Sequence, residues 1–185
     1  MNLEPLFGKT EDASFLDGGS SVLQQRIRAS LGKSGTGPLL RGSWLGHPLH
    51  PVLVTVPIGT WVGATVFDLV LRDHVAARRL IGLGLVATPP TLMTGWADWA
   101  ERNTRQRRVG QIHAGVNAAG ISALAASFVR RRRGTDARAI AASVAGVVAV
   151  GLGGALGGHL TYAMGAGVDE AEKGPRGGSV LTSVG

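Results

Sequence analysis

The sequence predicts an all-α, polytopic membrane protein: an up-and-down bundle of four transmembrane helices with a flexible N-terminal segment. Three observations predict it. Of 185 residues, 44% are apolar and only 17% charged, which is unusual for a soluble globule of this size. The charge is segregated, so that residues 51–67, 80–97, 109–129 and 139–168 are almost free of it. Each of these can supply the roughly 17–25 residues that a helix needs to cross a bilayer. Glycine is abundant, at 29 residues, and small side chains let helices approach closely in lipid.

The formal charge of +7 would suit nucleic acid, but the arginines cluster in short connections between apolar runs rather than along one soluble face. Membrane topology accounts for that clustering, and no nucleic-acid partner is expected. Basic residues divide about equally between the two membrane faces, so the charges give no orientation. The lipid bilayer of a bacterial inner membrane, crossed several times, is the expected surrounding. With no cysteine, disulfides, thiolate metal sites and cysteine-ligated clusters are excluded, and any metal work falls to histidine. The first residues lack a basic region followed by an apolar core, so no cleavable signal peptide is expected.

Residues 1–43 read as an N-terminal tail. Within it Leu23, Ile27 and Leu31 recur at four-residue spacing, with Ser20 or Ser21 available as an N-cap. The pattern fits a short amphipathic helix, lying on anionic lipid or docked on the protein's own loops. Gly32 to Gly37 then reads as a linker.

The membrane domain spans 44–168. Trp44 suits the headgroup level. In Gly46-His47-Pro48-Leu49-His50-Pro51 each histidine precedes a proline, which disfavours the helical basin for both. Pro51 suits a first helical position, with His50 as the N-cap. Thr55, Gly59 and Gly63 form a small-residue stripe, and Pro57 should kink the first span. Asp68 reads either as a proton-relay carboxylate or as an end-of-span ion pair with Arg72.

The second span carries Pro89 and Pro90 with Thr88, Thr91 and Thr94 around them, whose hydroxyls can rebond freed carbonyls. It ends in Trp96, Asp98 and Trp99, an aromatic belt with an acid beside it. The third opens with His113 and Asn117 one turn apart. The fourth has Gly153 with Gly157 and Gly154 with Gly158, two overlapping registers for close packing, and His159 at its end. Residues 169–185 read as a disordered tail.

Folded up and down, these spans bring His47, His50, Asp98, His113 and His159 to one membrane face. Histidines converging from separate helices are what haem b or a metal ion requires, with His50, His113 and His159 as metal ligands and His47 beside them. Asp98 and Asn117 would orient the rings. A hydrogen-bonded structural cluster and a proton or ion path are the alternatives. The function classes are therefore a membrane redox or metal protein and a non-catalytic scaffold whose glycine-lined helices bind partner helices, including those of a like chain.

The motif Gly46 to Pro51, followed by Val56-Pro57-Ile58-Gly59-Thr60-Trp61, Val109-Gly110-Gln111-Ile112-His113 and Gly157-Gly158-His159-Leu160-Thr161-Tyr162, resembles the bacterial membrane family called domain of unknown function 2231. The resemblance covers about residues 44–169. It implies a four-helix membrane domain and singles out His47, His50 and His113. Some relatives carry a Rieske-type domain after the membrane part, which implies an electron-transfer setting and a Rieske-type or other redox partner protein. These 185 residues contain no cysteine and are expected to hold no such domain.

Overall fold

A computed structural model describes residues 4–167, so the tail expected over 169–185 lies outside the described residues. Those residues contain helices and no strand. Four segments are long and apolar enough to cross a membrane: His50–Leu69, His74–Trp99, Thr104–Arg133 and Ala137–Ala163. The first comprises a short α4 (His50–Leu53) and α5 (Thr55–Leu69); the others are built on α6 (His74–Trp99), α7 (Thr104–Arg130) and α8 (Ala137–Gly158). Short connections make antiparallel hairpins of α5 with α6 and of α7 with α8, each packed closely within itself, while the two hairpins meet less extensively.

The interior sets many small residues around a core of Trp61, Ile81 and Leu124, and many large apolar side chains face outward. Its buried positions include Ala64, Ala77, Gly84, Thr88, Thr91, Gly120, Ser127, Ser143, Gly146 and Gly153. Val56, Val62, Val66, Leu83, Val86, Met93, Val148 and Leu152 point outward. In water this arrangement would be costly. In lipid the outer side chains meet hydrocarbon, and helix association rests on close packing of small residues.

The membrane helices carry three prolines inside them. Pro57 cannot donate to the Leu53 carbonyl, and the Thr91 hydroxyl stands 3.5 Å from that oxygen. α6 continues through Pro89 and Pro90. There the Thr88, Thr91 and Thr94 hydroxyls donate to the carbonyls of Gly84, Ala87 and Thr91 at 2.8–2.9 Å, which are not the Leu85 and Val86 carbonyls that the two prolines free, so these bonds do not make the expected rebonding. His50 is the first residue of α4 rather than its cap; Leu49, in the helical basin, takes that position without a side-chain bond.

The N-terminal segment is more ordered than its composition suggests. It forms α1 (Glu4–Glu11), α2 (Asp17–Ser34) and α3 (Gly37–Leu40), which pack on α6 and α7. α2 starts earlier than the serine signal indicated, and Ser20 donates back to the Asp17 carbonyl inside the helix. The docking face of α2 is polar. Ser20 and Gln24 are buried, whereas Val22 and Leu23 remain exposed. Gln24 donates to the carbonyls of Ala100 and Arg102 at 2.6 and 3.1 Å and accepts from buried Arg107. Arg108 grips Asp17 with two bonds of 2.8 and 2.6 Å. The first turns of α7 thus serve as the platform for α1 and α2.

Trp99 turns inward instead of joining an interfacial belt. It is 5% exposed, and its indole N–H donates to the Arg107 carbonyl at 3.1 Å across the α6–α7 corner. At the opposite end of the bundle, Asp68 is fully buried and pairs with Arg131, not with Arg72. His74 Nδ1 lies 2.9 Å from the same carboxylate, and Arg131 also donates to Ser127 and Ser143 at 3.1 Å. A carboxylate at this depth is retained because a guanidinium supplies matching charge and two parallel bonds.

Candidate functional site

His50, Asp98, His113 and His159 all lie at the end of the bundle remote from Asp68 and Arg131. Two of the rings are held in the same way. His50 comes from the start of α4 and reaches α6, where its Nδ1 is 2.9 Å from the Thr91 carbonyl. His113, on α7, reaches α8, where its Nδ1 is 2.7 Å from the Gly153 carbonyl.

Each ring also lies against a glycine one turn further along the helix it reaches. A Cβ at Gly95 would fall 2.9 Å from His50 Cε1, and one at Gly157 would fall 3.1 Å from His113 Cε1. Only a residue without a side chain admits the imidazole there.

A carbonyl accepts, so the nitrogen facing it carries the proton. This fixes both imidazoles, when neutral, as the tautomer with the lone pair on Nε2. That is the nitrogen available to a metal or haem iron, and a carbonyl on the other nitrogen is a common way for proteins to orient such a ligand.

Asn117 sits one turn after His113. Its amide donates to the His113 carbonyl at 2.8 Å and is 3.4 Å from both ring nitrogens. Asp98 is half-buried in the last turn of α6, three residues after Gly95.

The other two histidines stand apart from this pair. His47 is exposed, in the bend before α4, and its ring has no hydrogen-bond partner among the described residues. His159 opens a π-helical turn, His159–Ala163, after α8. Its Nε2 is 2.7 Å from Glu11, and its ring stacks on Phe7 at 4.4 Å between centroids. The N-terminal helix therefore covers it. Among the described residues, no three His, Cys, Asp or Glu side chains gather as a metal ion would need.

Charge ties the cover down. Glu11 meets both His159 and Arg105, and its carbonyl accepts from Arg108 at 2.9 Å. The guanidinium of Arg108 holds the Asp17 carboxyl below the usual carboxylate range. On the outer side of α2 a surface cleft is lined by Arg28, Gly35, Pro38, Arg41 and Glu101, where both arginines already engage Glu101.

Sequence reasoning missed Glu11, Thr91, Gly95 and Gly157 as parts of the site. Glu11 gives no local signal, lying 148 residues from His159. The glycines carry a signal, since a helical glycine facing a histidine on the neighbouring span marks a place made for a ring.

The fold and the site together define an integral membrane protein of four spans with two carbonyl-anchored histidines at one end of its bundle. Residues 46–170 match the family model described as Predicted membrane protein (DUF2231), and the chain belongs to that family. Comparisons with curated proteins and with solved structures find no match.

Proposed function

We propose that this protein binds haem b or a metal ion through histidines at one membrane face and serves an electron-transfer role in a bacterial inner membrane. The observation that carries this is the pair of anchored rings. His50 and His113 come from different hairpins, each Nδ1 is committed to a backbone carbonyl, and Nε2 is the nitrogen that would meet a ligand, the Asn117 amide lying 3.4 Å from that of His113. A bare metal ion would need more donors than the described residues gather here, whereas two imidazoles are what haem asks of a protein. When bound, haem would supply one-electron chemistry that no side chain here provides.

In this reading Asn117 orients His113, and Asp98 serves the His50 side. His47 stands at the aqueous edge, and His159 fastens the N-terminal cover. A Rieske-type or other redox protein meeting this face is the partner class. The reading is tested by a reduced-minus-oxidised optical spectrum of the detergent-solubilised chain together with metal analysis. A haem band or stoichiometric metal is the expected result. The absence of both overturns the proposal.

A second reading is favoured by the ring contacts themselves, because the same carbonyl bonds also tie helices together. In a non-catalytic scaffold, His113→Ala would lower stability without releasing any cofactor. A spectroscopic loss at unchanged stability would count against the scaffold.

A further inference from the structure

The two hairpins are copies of one another. The buried positions of the first are Pro57, Trp61, Ala64 and Asp68. In the second hairpin Gly120, Leu124, Ser127 and Arg131 are buried, each 63 residues after its counterpart. On the return helices Ala77, Ile81, Gly84, Thr88 and Thr91 correspond to Ala139, Ser143, Gly146, Val150 and Gly153, each about 62 residues on. The second hairpin connection is thus one residue shorter. Contacts repeat as well as positions. His50 on Thr91 and Gly95 becomes His113 on Gly153 and Gly157, and a Cβ on Gly84 or Gly146 would strike Trp61 or Leu124 respectively. Asp73 and Asp136 cap the two return helices.

Both hairpins begin at the same end of the bundle, so they are parallel repeats related by rotation about an axis along it. A residue that touches its own counterpart lies at a two-fold axis. Asp68 and Arg131 are counterparts and bond each other, so the axis passes between them. At the other end the counterparts flanking that axis are His50 and His113.

We infer that the histidine site is one two-fold site that takes a single haem, with His50 and His113 as its two axial ligands. This rests on the cofactor reading above and narrows it. Equivalent ligands on either side of an axis suit one centre bound from both sides rather than two separate centres. A bare metal ion in a tetrahedral site needs three or four protein ligands. Among the described residues no third ligand joins the pair, since His47 is exposed and His159 is engaged by Glu11 and Phe7. Haem brings four nitrogens of its own and asks the protein only for axial ligands.

The test is to titrate the detergent-purified full chain with haemin and, separately, with zinc and copper ions. One haem per chain with a six-coordinate, low-spin spectrum is expected. His50→Gly and His113→Gly should each convert it to a five-coordinate, high-spin form, and added imidazole should restore the low-spin spectrum, which separates ligand loss from misfolding. His47→Ala and His159→Ala should leave it unchanged. Two haems per chain, or a low-spin spectrum that survives either glycine variant, would overturn the two-fold site while leaving a haem protein. Metal binding without haem would overturn the haem assignment and leave the metal reading. Binding of neither overturns both.

Discussion

Asp68 and Arg131 stand 63 residues apart and meet in a two-pronged ion pair of 2.8 and 2.5 Å from which solvent is excluded. The pair joins one hairpin to the other at the end opposite the histidines. Opposite charges at equivalent positions also favour pairing of the first hairpin with the second over either with itself, because two aspartates or two arginines there would repel.

Removing one partner leaves the other charge buried and uncompensated. Asp68→Asn or Arg131→Gln should each destabilise the bundle by about 3–5 kcal/mol, read from thermal or denaturant unfolding in detergent. The exchanged pair, Asp68→Arg with Arg131→Asp, should recover part of that loss because the two positions are related by the axis. A double variant as unstable as the two single losses combined would contradict the relationship.

The glycine cradles make a graded prediction. Gly95→Ala puts a methyl group 2.9 Å from His50, and Gly157→Ala puts one 3.1 Å from His113. Overpacking of this kind typically costs about 1–3 kcal/mol, and the alanine at Gly95 should cost more. Gly151→Ala, where nothing lies within 4 Å, is the control and should be near neutral. Unfolding midpoints of the three variants in detergent give the order.

How much of this was legible in the sequence depends on the range of the forces involved. The four spans were legible because hydropathy is a local property, whereas the carbonyls that the α6 threonines take, Gly84 and Ala87, are not the ones that Pro89 and Pro90 free. The histidines were legible as residues, but their anchoring was not, since each depends on a carbonyl about 40 residues away. Asp68 suggested Arg72 by proximity in sequence, whereas folding delivered Arg131. The repeat is faint in the sequence because its identical counterparts, such as His50 with His113 and Gly95 with Gly157, are scattered among pairs that share burial alone, as Trp61 with Leu124 and Asp68 with Arg131. The Leu23, Ile27 and Leu31 spacing marked a helix but not its docking face, where the buried residues are Ser20 and Gln24 and Leu23 points outward.

Docking of the N-terminal helices should depend on pH. Arg108 lowers the Asp17 pKa in the folded state, so Asp17 contributes to docking above the ordinary carboxylate pKa. That contribution is lost as pH falls through the lowered value. Limited proteolysis within residues 4–34 should therefore accelerate at acidic pH. Asp17→Asn should cleave faster at neutral pH and show a smaller acid increment.

Topology can be read directly, because the chain has no cysteine to interfere. Single cysteines at Ser43, before the first span, and at Arg132, between the third and fourth, occupy exposed positions at opposite ends of the bundle. A membrane-impermeant thiol reagent should label Ser43→Cys from one side only and Arg132→Cys from the other only. Labelling of both from the same side would contradict a four-span arrangement.

The N-terminal cover has a consequence for how the protein is made. Glu11 and Asp17 leave the ribosome first, yet their partners Arg105, Arg108 and His159 lie 91 or more residues later. The ribosome has finished the whole first hairpin before these helices have their partners on α7. The cover over His159 therefore cannot close until the fourth span is made, and the histidine end stays accessible until it does.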